Sequence, residues 1–90
     1  MHCFIVMYDL ITPGQDYQRL HNAIKTYPRW GRITESTWAV VTDQDASQIR
    51  DYLLDYMDNN DRIMVIQSGQ TAAWKNAKAR NEWLQENLVL

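Results

Sequence analysis

With a single cysteine among 90 residues, the chain has no internal disulfide and no cysteine-built metal cluster, and Cys3 reads as a small buried hydrophobe. Three scattered glycines cannot form a phosphate-cradling loop. His2 and His21 have no second ligand at metal spacing, and no Ser-His-Asp or Cys-His arrangement is readable. Positive charge is not in excess either. A net charge of -2 and a pI near 5.5 exclude a uniformly basic nucleic-acid binder, so any such contact must use a local patch. The apolar run around Cys3 is far too short to cross a bilayer or to serve as a signal sequence, and the chain reads as cytoplasmic with no membrane role. Without linker, repeat or low-complexity segment, residues 1–90 read as one domain.

What the chain does have is apolar and aromatic material: 46% hydrophobic residues, with four Trp and five Tyr. Phe4-Ile5-Val6-Met7-Tyr8-Asp9 is apolar on both parities, which describes a central strand buried on both faces. It ends on a carboxylate where the next loop opens, a common place for chemistry in sheet proteins, and Asp9 is the first candidate site residue. Thr12-Pro13-Gly14-Gln15 has capping-box spacing with proline at the first helical position, and Tyr17, Leu20, Ile24 and Tyr27 form the stripe of a helix that Pro28 ends. Gly31 punctuates the following loop. Ile33 to Thr42 is β-rich and too long for one strand, so it splits near Glu35-Ser36 into a hairpin or a bulged pair.

Asp45 and Gln48 repeat the capping spacing ahead of a second helix, whose stripe is Ile49, Tyr52, Leu53, Tyr56 and Met57. Asp58 to Asp61 breaks it, and Arg62 to Gln67 is a last strand, again apolar on both parities. From Thr71 onward the chain reads as helix, with a break near Lys78 to Asn81. The order β-α-β-β-α-β plus a C-terminal helical tail predicts an α+β, ferredoxin-like sandwich with both helices on one sheet face. The second face then needs a cover, either the tail or a second copy, and a symmetric homodimer is the leading expectation.

Tyr8-Asp9-Leu10, Glu35-Ser36-Thr37-Trp38, Asn60-Asp61-Arg62, Ala72-Ala73-Trp74 and Trp83-Leu84-Gln85-Glu86-Asn87-Leu88 together resemble the CRISPR-associated protein 2 superfamily, closest to its short stand-alone SinR-family members and related to virulence-associated protein D. The resemblance implies a homodimer in which the two Asp9 carboxylates meet and hold Mg²⁺ or Mn²⁺. It implies either a metal-dependent endonuclease on RNA or DNA, or a non-catalytic nucleic-acid-binding or interaction module. Ser36 is then the group that hydrogen-bonds the metal's water or a carboxylate oxygen. The first loop lacks the basic residues of the CRISPR members, which weighs against an integration-adaptor role.

Each site residue also has an ordinary reading. Asp9 can accept hydrogen bonds from the turn after its strand. Lys25, Arg29 and Arg32, interleaved with Tyr27 and Trp30, suit phosphates and bases, but cations in a helix's last turn also complement its dipole. Trp38, Trp74 and Trp83 read as core or interface anchors.

Overall fold

The strand β1 (His2–Asp9) organises the molecule, pairing antiparallel with β3 (Thr37–Thr42) on one side and with β4 (Arg62–Gln67) on the other. The computed structural model describes residues 1–12, 14 and 17–88. With β2 (Arg29–Thr34) outside β3, the sheet runs β2-β3-β1-β4, and the helices α1 (Tyr17–Ile24), α2 (Ala46–Leu54) and α3 (Asn81–Asn87) complete an α+β fold. The first and third strands are central, as the two-sided apolar pattern of the first requires.

Alternation sorts β1 between the two sheet faces. Phe4, Val6 and Tyr8 join Trp38 and Val40 beneath Leu20, Ala23 and Ile24 of α1 and Ile49 and Leu53 of α2. Both crossover helices therefore cover this face. Val6, Leu20, Ile24, Ile49 and Leu53 are completely buried, and each contributes about 1.5–3 kcal/mol over its exposed state. The α2 start is the expected capping box: the Asp45 side chain accepts from Gln48 N–H and the Gln48 side chain accepts from Asp45 N–H. α1 (Tyr17–Ile24) departs from expectation at both ends: Gly14, with φ of 79°, is not helical, and the helix stops at Ile24, before Tyr27 and Pro28; Pro13 and Gln15 of the Thr12 capping box lie outside the described residues.

The opposite face carries Cys3, Ala39 and Val41, covered by Leu84 and Leu88 with Trp74, Ala77, Ala79 and Trp83 against them. Burial pushes the Cys3 thiol up to about 11, so it is an inert core group. The cover is thus the chain's own tail, but only its last part is helical. Residues 71–80 form no helix, contrary to the sequence expectation: Trp74, Ala77 and Ala79 pack against the sheet, and Lys78 N–H and Ala79 N–H donate to the β2 carbonyls of Ile33 and Arg32 at 3.1 and 2.7 Å. Trp74 Nε1 then donates to Asn81 Oδ1 at the start of α3. Gly31 is a second correction. It is not a loop residue but the middle of β2, and a Cβ there would lie 2.8 Å from the Trp83 ring, so the ring packs directly on the strand backbone.

The tail stops short of β4. Ile63 and Val65 face the helices, whereas Met64 and Ile66 on the other parity are 59% and 47% exposed beside half-buried Met7. The expectation of a last strand buried on both faces therefore fails within one chain.

Candidate nucleic-acid interface

A cleft of about 440 Å³ opens at the C-terminal end of β1, lined by Tyr8, Asp9, Tyr17, His21, Arg32 and Ser36 among others. Three separate pieces of chain build it. The two-residue turn Glu35-Ser36 joins β2 to β3, with a register shift between Arg32 and Thr34 absorbing the irregularity, and Tyr8 N–H donates to the Ser36 carbonyl at 3.1 Å, drawing the turn onto β1. Tyr17 and His21, one helical turn apart on α1, close the other side.

The Tyr8 hydroxyl is the hub. It accepts from Trp38 Nε1 at 3.1 Å, lies 3.1 Å from His21 Nε2 and donates to the Glu35 carbonyl at 3.4 Å. A phenol oxygen has two acceptor sites and one proton, so all three contacts are hydrogen bonds only when His21 Nε2 carries the proton. That assignment leaves Nδ1 with the lone pair. Burial lowers the His21 pKa, and the positive charges of Arg32 and Lys25 lower it further. Burial raises the Tyr8 pKa, keeping the phenol protonated.

Arg32 donates through Nη2 to the Glu35 carbonyl at 2.6 Å and to its carboxylate at 3.4 Å, with its guanidinium carbon 5.2 Å from the centre of the Trp38 ring. Its Nε is buried without a partner among the described residues. Glu35 is also held by Lys78 Nζ at 3.0 Å, and that contact, more than Arg32, lowers its pKa. Asp9 sits on the rim, opposite Arg62 in register and paired to its Nη1 at 3.1 Å.

The sequence candidates separate in space. Asp9 and Ser36 do come together on the cleft. The three basic residues do not form one patch: on β2, Arg32 faces the helix side, while Arg29 donates to Asn87 Oδ1 of the tail at 3.1 Å. Lys25 stays on the helix side with its Nζ 5.3 Å from the Trp30 ring centre, and the Trp30 ring packs at 5.7 Å from that of Trp38, tilted by 53°. Lys25, Trp30, Arg32 and the cleft therefore form one continuous strip, with Trp30 39% and Tyr17 47% exposed.

His21 is the site residue that the sequence reading passed over. Its signal was present but indirect: it follows Tyr17 by four on the same helix, and only the fold brings that helix over Tyr8. A lone carboxylate facing a guanidinium does not make a divalent-cation site, and the other carboxylate of the cleft, Glu35, is held by Lys78. The residues of one chain thus fit Mg²⁺ or Mn²⁺ only if a second copy supplies a further carboxylate. No family model matches the sequence.

Proposed function

We propose that the protein is a ferredoxin-like, homodimeric nucleic-acid-binding domain of the kind its sequence resembles, and that it holds single strands along the Lys25–Trp30–Arg32 strip. The β2-β3-β1-β4 order with α1 and α2 on one face supports the fold reading. The observation that carries the function is the strip itself, where partly exposed Trp30 lies between Lys25 and Arg32 and exposed Tyr17 stands at the cleft, in a chain whose overall charge is negative. Unpaired bases stack on any aromatic face, and each such contact contributes about 1–3 kcal/mol. Dimerisation is supported by Met64 and Ile66, exposed on an edge strand that carries no tail.

A short fluorescein-labelled RNA or DNA strand titrated with the protein tests this reading. Trp30→Ala should weaken binding by about 1–3 kcal/mol, and with two phosphate-facing cations the slope of log K against log salt should be about -1.4. Binding of duplex equal to single strand, or binding indifferent to Trp30→Ala, would contradict it.

A second reading, metal-dependent endonuclease, is favoured by the position of Asp9 on the rim of the same cleft. It needs the dimer. Asp9 lies on the Met7 and Met64 side of the sheet, so a mate docked there brings a second Asp9 carboxylate toward the first. The metal would supply an activated water and neutralise phosphate charge. Cleavage that requires Mg²⁺ or Mn²⁺ and disappears in Asp9→Asn supports this reading over the binding module.

A further inference from the structure

The cleft at the end of β1 has a charge balance that the strip alone does not explain. Both of its carboxylates are already matched by cations from elsewhere, Asp9 by Arg62 of β4 and Glu35 by Lys78 of the tail. Arg32 reaches the same Glu35 carboxylate at 3.4 Å, so two cations share one carboxylate and the cleft keeps an excess positive charge, while Lys25 adds to the potential felt at His21. Several polar groups converge there with capacity to spare. Arg32 Nη1, the Ser36 hydroxyl, the Tyr17 hydroxyl and His21 Nδ1 have no hydrogen-bond partner among the described residues. The volume of about 440 Å³ accommodates a phosphate with its attached sugar.

We propose that this cleft is a phosphate site, in which Arg32 Nη1 and the Ser36 hydroxyl donate to one phosphate group and the His21 ring, held by Tyr8, meets it through Nδ1. Neutral His21 presents an acceptor lone pair on Nδ1, and an unprotonated phosphate or sulfate oxygen has no proton to donate to it, so binding is linked to protonation of the ring. The titratable and charged groups around the ring are Tyr8 of β1 and Tyr17 of α1, which contact it, and Arg32 of β2, Lys25 after α1 and Glu35 of the turn, whose charges act on it. The buried surroundings and the two cations make that proton unfavourable in the free protein. A bound phosphate reverses the sign by placing negative charge beside the ring. Reciprocity then requires the anion to bind more tightly where His21 can take up a proton. The proposal rests partly on the reading above, because a strand running along the strip ends or turns at this cleft. The phosphate itself can come from a strand end, from within a strand, or from the free ion.

The test is nuclear magnetic resonance of the histidine ring nitrogens in the full chain, with inorganic phosphate as the first probe and sulfate as a dianion that does not titrate. Phosphate should move the His21 signals and leave His2 in place, and sulfate should bind about tenfold more tightly near pH 5 than near pH 8 for each unit by which it raises the His21 pKa. Arg32→Gln should abolish the effect. Because Arg32 also ties down the turn, Ser36→Ala is the cleaner variant: its hydroxyl has no partner to lose, and it should weaken the anion about five- to tenfold without moving the melting temperature. His21 signals unmoved by about 100 mM phosphate, or a Ser36→Ala variant that binds as well as the wild type, overturn the proposal. A 5′-phosphorylated and a 5′-hydroxyl oligoribonucleotide then separate the sources: preference for the first assigns a strand end, and equal binding with His21 moved assigns an internal phosphodiester. Equal binding with His21 unmoved removes the phosphate site and leaves the strip reading standing. Phosphate binding without oligonucleotide binding does the opposite.

Discussion

The two faces of the sheet are covered by different means. On one, α1 and α2 lie over β1 and β3 and bury Phe4, Val6, Tyr8, Trp38 and Val40 in a single core. On the other, an irregular tail and a short helix cover Cys3, Ala39 and Val41, and β4 is left with Met64 and Ile66 in solvent. The helix-covered face is where the aromatic and cationic strip emerges and where the cleft forms. The tail-covered face holds apolar surface and one exposed ion pair, Asp9 with Arg62. The difference teaches that one small sheet can expose its cations and polar cleft on one side and its bare apolar surface on the other, which is the separation the proposed function rests on.

The largest effect should come from the helix side. Trp38→Ala empties a fully buried position and leaves the Tyr8 hydroxyl without its indole donor, so it should cost about 3–5 kcal/mol in denaturant unfolding. A loss below that of any tail substitution would mean that the helix face is not the stabilising one. Gly31→Ala is the corresponding probe of the tail side. A Cβ placed 2.8 Å from the Trp83 ring forces that ring off the strand, at about 1–3 kcal/mol. Hydrogen exchange should rise across α3 while β1 and α2 stay protected.

These two sites also mark where the sequence was readable and where it was not. β4 was legible to its ends and α2 through its cap and the Ile49, Tyr52 and Leu53 part of its stripe, because these are local signals, but the helix stops at Leu54, short of Tyr56 and Met57, which pack on the core from the turn that follows. Gly31 was misread as loop punctuation because the reason for a glycine there is an aromatic ring from 52 residues further on. Residues 71–80 contain good helix formers, yet the N–H groups of Lys78 and Ala79 pair with β2, a tertiary competition that propensity does not register. The cleft was legible in part. Asp9 is legible from the strand end and Ser36 through the resemblance, whereas His21 acquires its role only when Tyr8, Trp38 and α1 meet. Arg29, grouped by sequence with Lys25 and Arg32, belongs to the other face because alternation along β2 sends it there.

A smaller effect separates the faces through pH. The folded state depresses the His21 pKa below 6.5, so its contribution to stability is present above that value and is lost as pH falls through the lowered one. Glu35 and Asp45, also lowered, lose theirs in the same direction but only below their ordinary values of 4.5 and 3.8. Melting temperature should therefore begin to fall just below pH 6.5 in the wild type, and the early part of that fall should be absent in His21→Gln. Smallest of all should be the stability change in Met64→Lys, within about 0.5 kcal/mol because the side chain is exposed. Its consequence should appear instead in sedimentation, as conversion of a dimer to a 10.6 kDa monomer.

The division of labour between the faces is tested most directly by amide shift mapping with a short single-stranded RNA. Perturbations should gather on His21, Lys25, Trp30, Arg32 and Ser36, with Trp74, Trp83 and Asn87 of the tail unmoved. Shifts centred on the tail or on Met64 and Ile66, with the cleft silent, would contradict the account.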